Sequence, residues 1–218
     1  MKVSEILADF NSTSSPDSTL MEELAQIIST QCKPFLSLID YDPGQYIIWR
    51  GMGGNLTQTR PVSASIQSVR KDRIPSMTNK IVHKYADEYF HRQFNIRGRS
   101  QTMFATGAFD QAKTYGNVYA TLPIGEVKFI WSPYVADMAG VFVGRPTNTI
   151  LELEETNPQE AYEYVAEMLE GHSYKDQNLK AAIKSGNEIM VACDQYISIS
   201  APVFIKMRRS GVLNDLDL

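Results

Sequence analysis

Apolar residues recur every three to four positions in several stretches of the chain, and each such stretch predicts a helix. Leu20, Leu24, Ile27 and Ile28 share one face of a segment that opens at Ser18, has Glu22 close behind, and runs to about residue 31. Ile81, Val82, Tyr85, Tyr89 and Phe90 form the stripe of a second segment, which Thr78 can cap and which runs to about residue 93. Asn157-Pro158-Gln159-Glu160 places Asn at a cap, Pro at the first helical position and an acid in the first turn, so a helix should reach about Glu170 before Gly171. A further helix is predicted over 176–184, ending at Ser185-Gly186, and a short one over 110–115.

Short apolar or alternating runs predict strands over 46–50, 101–105, 117–123, 126–131 and 188–193. A last strand is predicted over 196–206, where Ile197, Ile199 and Ala201 alternate. Residues 11–18 read as a loop, and 51–76, rich in Gly, Ser, Thr and Arg with Pro61 and Pro75, read as a long one. Helices separate the strands without regular βαβ alternation, so the class is α+β. The division that follows is an N-terminal helical segment over 1–40 and a main domain over 41–218, with a basic insertion at about 55–100.

Composition narrows the class. The 218 residues are 43% hydrophobic and 10% aromatic, enough for a packed core. No apolar run reaches transmembrane length and no signal-peptide core opens the chain, so it reads as soluble and intracellular. Cys32 and Cys193 lie far apart without a CxxC, and the three histidines, His83, His91 and His172, lack metal-ligand spacing. Neither a disulfide framework nor a metal site is expected. The net charge of −4 hides an asymmetry: residues 50–100 carry ten Lys/Arg against three Asp/Glu, and 151–176 carry eight Asp/Glu against one Lys. The acidic stretch reads as a solvated helix face. The basic stretch offers a local surface for an anion.

Several chemistries lack their motifs. There is no GxGxxG after a strand, no Walker loop and no Gly-x-Ser-x-Gly elbow. Asp137, after Ser132-Pro133, reads as a capping or solvated carboxylate. The conspicuous feature is Trp49-Arg50-Gly51 at the end of the apolar run Tyr46-Ile47-Ile48. A guanidinium at a strand end, followed by glycines, either faces an anion in a cleft or closes an edge strand with its head in water.

Two later strands extend the pattern: Met103-Phe104-Ala105-Thr106-Gly107, followed by Ala112 and Tyr115-Gly116, and then Asn187-Glu188-Ile189-Met190-Val191. In this order the three segments resemble the Arg–Ser/Thr–Glu signature of the mono-ADP-ribosyltransferases, especially bacteriophage-encoded members. The match covers roughly residues 46–206. It implies an ADP-ribosyltransferase-like split β-sandwich core with flanking helices, and NAD as substrate. It also implies a phage protein acting on a host protein or nucleic acid in the host cytoplasm, carried there in the virion or meeting other virion proteins, with no membrane role. The alternative is a noncatalytic virion or interaction protein that keeps a transferase-like fold.

The resemblance assigns roles residue by residue. Glu188 would stabilise the oxocarbenium-like charge that develops as the nicotinamide–ribose bond breaks. Its bland alternative is a strand-edge Glu in water. Arg50, with Gly51 beside it, would hold the pyrophosphate, because a planar fork matches phosphate oxygens. Thr106 would orient the carboxylate and the ribose. Tyr115 or Phe104 would stack on nicotinamide, and Arg97 and Arg99 would add phosphate contacts. Where the family has Ser-Thr-Ser, this chain has Ala105-Thr106-Gly107, and Val62-Ser63-Ala64-Ser65 is a second placement for that motif. Gly186 stands where arginine-specific members carry Glu or Gln, which leaves the acceptor open. The segment Arg70-Lys71-Asp72-Arg73-Ile74 lies outside the signature and is either a basic lid or docking surface, or a solvated loop.

Overall fold

In the computed structural model, which describes residues 3–12, 16–53, 63–74, 78–142 and 147–214, three helices open the chain: α1 (Val3–Ser12), α2 (Ser18–Gln31) and α3 (Lys33–Leu38). There follow β1 (Ile48–Met52), β2 (Ala64–Ser68), α4 (Lys80–Phe94), β3 (Met103–Thr106), α5 (Phe109–Lys113), β4 (Asn117–Ile124) and β5 (Lys128–Trp131). A 3₁₀ turn (Met138–Phe142) leads into α6 (Thr147–Thr156), α7 (Pro158–Glu170) and α8 (Leu179–Ser185). The chain then returns as β6 (Glu188–Ala192), β7 (Gln195–Ser200) and α9 (Ala201–Arg209). The class is α+β.

The seven strands form one antiparallel sheet in the order β2-β7-β4-β1-β3-β6-β5. Its ladders are unequal. β1 pairs with β4 at five positions and β3 pairs with β6 at four, but β1 meets β3 only at Trp49 opposite Thr106. Two half-sheets therefore join at one residue pair.

Apolar side chains explain how the helices cover the sheet. Along β6, Ile189 and Val191 face one way, into a cluster with Phe10, Leu24, Phe35 and Phe204, while Met190 faces the other way, toward Phe90, Val165 and Leu169. That is the two-residue period of a strand, and with both faces covered the run is apolar without interruption. α1–α3 belong to the same cluster as the sheet. Asn11 at the end of α1 donates to Ala64 O at 2.7 Å and accepts from Ser63 N at 2.8 Å and Ala64 N at 3.1 Å. It thereby covers the start of the edge strand β2. No helix among the described residues is long and apolar enough to cross a membrane.

Sequence and structure part in four places. β2 lies inside the expected loop at 51–76. It is an edge strand paired only with β7, and its outer half is polar, so its pattern is faint. The expected strand over 196–206 breaks at Ser200. Pro202 sits in the first turn of α9, and Ala201, Phe204 and Met207 repeat at helical spacing. α2 opens at Ser18 as expected, with Asp17 as its cap, whereas Asn79 rather than Thr78 caps α4, accepting from Ile81 N at 2.8 Å. α6 had no counterpart in the sequence pattern.

Two glycines are fixed by backbone contact. A Cβ on Gly51 would sit 1.9 Å from Ala112 O, and one on Gly107 would sit 1.8 Å from Ile183 O. Gly107 thus has no room for the serine of the resembled motif, because α8 lies directly against it. Gly107→Ala should lower stability by about 1–3 kcal/mol through forced backbone movement, whereas Gly53→Ala, with nothing within 4 Å of the new methyl, should not. Chemical denaturation of the two variants checks this, and equal effects would contradict the close approach.

Candidate active site

The cleft opens where the two half-sheets part. Beyond the Trp49–Thr106 pair, β1 carries Arg50 and Gly51 along one wall, while β3 and β6 carry Phe104, Thr106 and Glu188 along the other. The enclosed space is about 220 Å³. Arg50, Thr106 and Glu188, which come from three strands, all line it, as do Gly51, Phe104, Arg99 and Tyr115. Arg97 does not. It pairs with Asp87 at 3.5 Å and Glu88 at 3.8 Å and lines a separate groove with Lys71 and His91, so the expected phosphate role is corrected for this residue.

Glu188 is held from several directions. Its backbone N–H donates to Ala136 O at 2.9 Å, and its carboxylate accepts from Arg99 Nη1 at 2.9 Å. The strand-edge reading in water therefore fails: the carboxylate is ion-paired, Arg99 is buried, and the Glu188 side chain is only 12% exposed. Burial pushes the Glu188 carboxyl above the usual range, and Arg99 opposes that shift by favouring the charged form.

Arg99 owes its position to α4. Asp87, buried on that helix, accepts from Arg99 N at 2.8 Å, from Ser100 N at 2.9 Å and from Ser100 Oγ at 2.7 Å. Thr102 Oγ1 closes the same turn on Gly98 O at 2.6 Å. From this fixed backbone the Arg99 side chain reaches Glu188 Oε1. It is paired with that carboxylate and lines the cleft, as expected of a residue placed near the site.

Thr106 has a different task from the one expected. Its hydroxyl donates to Gly186 O at 2.5 Å and accepts from Ala108 N at 3.0 Å. It ties the end of β3 to the α8–β6 turn and leaves Glu188 to Arg99. Gly186, at φ +73°, is the left-handed cap of α8, a conformation that disfavours Glu or Gln there. The second placement of the hydroxyl motif is excluded, because Ala64 and Ser65 lie on β2 at the far edge of the sheet from β6, while Val62 lies outside the described residues.

The aromatic expectations divide. Phe104 carries the guanidinium carbons of Arg73 at 3.7 Å and Arg99 at 4.2 Å from its ring centre, so its π-face is occupied by cations. Tyr115 is half exposed at the mouth, donates to Asp137 Oδ2 at 2.5 Å, and has its hydroxyl pKa pushed up to about 12 by that bond and by burial. It is the aromatic left with a free face. Asp137 also caps the 3₁₀ turn, accepting from Ala139 N at 2.8 Å.

Sequence reasoning missed Arg73 as a cleft residue. The signal was there, in a basic run following a strand, but nothing in the order of residues says which of Arg70, Lys71 and Arg73 turns inward. His83 is buried, and its pKa is lowered first by burial and then by Arg99.

No family model, curated protein or solved structure matches the chain.

The lowered pKa of His83 has a signed consequence. The unfolded chain takes up the proton first, so the stability His83 contributes is complete above about pH 6.5 and is lost as pH falls through the folded value. The wild type should therefore lose more melting temperature between pH 7 and pH 5 than His83→Gln does. Identical pH slopes would contradict a buried neutral imidazole.

Proposed function

We propose that the protein transfers ADP-ribose from NAD to a macromolecular acceptor, releasing nicotinamide and the acceptor's proton. The observation that carries this reading is the convergence of Arg50, from the middle of one strand, and Glu188, from the start of another, on one cleft. The cleft, at about 220 Å³, is smaller than ordinary ligand pockets of roughly 300–1,000 Å³. It suits the nicotinamide ribose and the adjoining phosphate, with the adenosine outside.

Each group then has work its chemistry allows. Arg50 donates from Nη1 to Phe104 O at 3.1 Å, which fixes the guanidinium plane and leaves its other N–H groups for phosphate oxygens. Tyr115 offers its exposed face to nicotinamide. As the glycosidic bond breaks and positive charge spreads over the ribose, the Glu188 carboxylate accepts a ribose hydroxyl and stabilises that charge in a nearly dry site. Arg99 opposes the upward pKa shift that burial imposes on this carboxylate. With no acid at Gly186, the reading names a host protein or nucleic acid as acceptor without choosing arginine.

A noncatalytic virion or interaction protein is the second reading, favoured by the commitment of the Thr106 hydroxyl to Gly186 O. The two separate in one experiment: purified protein, labelled NAD and a bacterial lysate. The transfer reading expects label on an acceptor and a loss of about 10²–10³-fold in Glu188→Gln, the usual effect of removing one group that stabilises developing charge. Arg50→Lys should mainly raise the NAD concentration required. No label above the level of Glu188→Gln would overturn transfer in favour of the second reading.

A further inference from the structure

The geometry points to Arg73 as a second anion-binding residue, forming with Arg50 a two-guanidinium seat for a diphosphate. The identity of that ligand, as the diphosphate of a dinucleotide, rests on the proposed function. The seat itself rests on the cleft.

Charge pairing singles out these two residues. Arg99 has Glu188, and Tyr115 has bonded Asp137. Among the described residues, Arg50 and Arg73 have no carboxylate within 4.0 Å, although both lie against Phe104, one on its carbonyl and one over its ring. Arg50 Nε, Arg73 Nη1 and Arg99 Nε are buried N–H groups with no hydrogen-bond partner among the described residues. Buried donors are nearly always satisfied, so a cluster of unsatisfied guanidinium donors marks a place where an acceptor belongs. Two guanidiniums without counter-charges match the two negative charges of a diphosphate diester.

The segment that carries Arg73 is fastened along its length. Val69 N donates to Asp194 O at 2.9 Å, Lys71 pairs with Asp194 at 2.8 Å, and Arg73 N donates to Ser100 O at 3.1 Å. The side chain is thus placed in the cleft by contacts of the main chain, even though its head sits among like charges. Burial and the charges of Arg50 and Arg99 lower its pKa to about 10, the mark of a cation that this environment disfavours when empty of anions. A strap built to hold such a group in place is expected where binding, not stability, is served.

Calorimetric titration with ADP and with inorganic pyrophosphate tests the seat without any turnover. Wild type should bind both, more weakly as salt rises. Arg73→Gln should bind at least ten-fold more weakly, while its melting temperature stays level or rises because an unpaired buried charge is gone. Arg73→Lys keeps the charge but not the fork, and should fall several-fold. Arg70→Gln, an exposed residue paired with Asp72, should match wild type. Wild-type affinity in Arg73→Gln, or no binding of either probe by wild type, overturns the seat. Should Arg73→Gln fail to fold, wild-type affinity in Arg73→Lys overturns it. Diphosphate binding without nicotinamide release leaves the seat and removes the transfer reading, whereas NAD cleavage with normal diphosphate binding in Arg73→Gln does the reverse.

Discussion

A single strand pairing, Trp49 opposite Thr106, decides where the cleft of this protein opens. Had β1 and β3 paired along their whole length, as β1 does with β4, the backbone between them would be sealed. They touch once and diverge, and the residues that follow the contact face a gap: Arg50 on one side, Glu188 beside Thr106 on the other. Glycine guards both flanks. Gly51 lets α5 close on β1, and Gly107 lets α8 close on β3, each at a distance no side chain would tolerate. The gap is therefore narrow, and rigid at its floor.

The second constraint is the buried pair of Arg99 and Glu188. Taking both charges out of water is costly, and such a pair is weak evidence for stability in itself. Its value is positional. Asp87 fixes the Arg99–Ser100 turn through one hydrogen bond from Arg99 N and two from Ser100, Arg99 fixes the Glu188 carboxylate, and α4 thereby sets the orientation of a group on a strand it does not pair with. The basic segment before β3, which in sequence resembles a solubilising insertion, becomes the support of the cleft.

The legibility of these features follows from their range. Helices with a strong apolar stripe, such as α2, α4 and α7, were readable within a turn, because their signal is local. β2 was not, since an edge strand with a polar outer half has little period to detect, and α9 was hidden by an alternation that Pro202 ended. In the cleft, Arg50 and Glu188 could be singled out as charged residues joined to apolar runs beside glycine or asparagine, although β1 continues past Arg50 to Met52 instead of ending there. The partners of those residues could not. The bond from Thr106 to Gly186 spans 80 positions and the pair of Arg99 with Glu188 spans 89, and only the folded sheet brings them together. Arg97 and Arg99 show the limit most plainly. They are two residues apart and alike in chemistry, yet one faces the outer groove and the other the carboxylate.

The account stands or falls on whether this cleft breaks the nicotinamide–ribose bond. Nicotinamide release from NAD by the purified protein, followed by chromatography alongside the NAD affinity of each variant, measures that directly. Release by wild type, with Glu188→Gln binding NAD normally but releasing nicotinamide about 10²–10³-fold more slowly, is the result the account predicts. No release by a protein that binds NAD, or equal release with and without the Glu188 carboxylate, would contradict it.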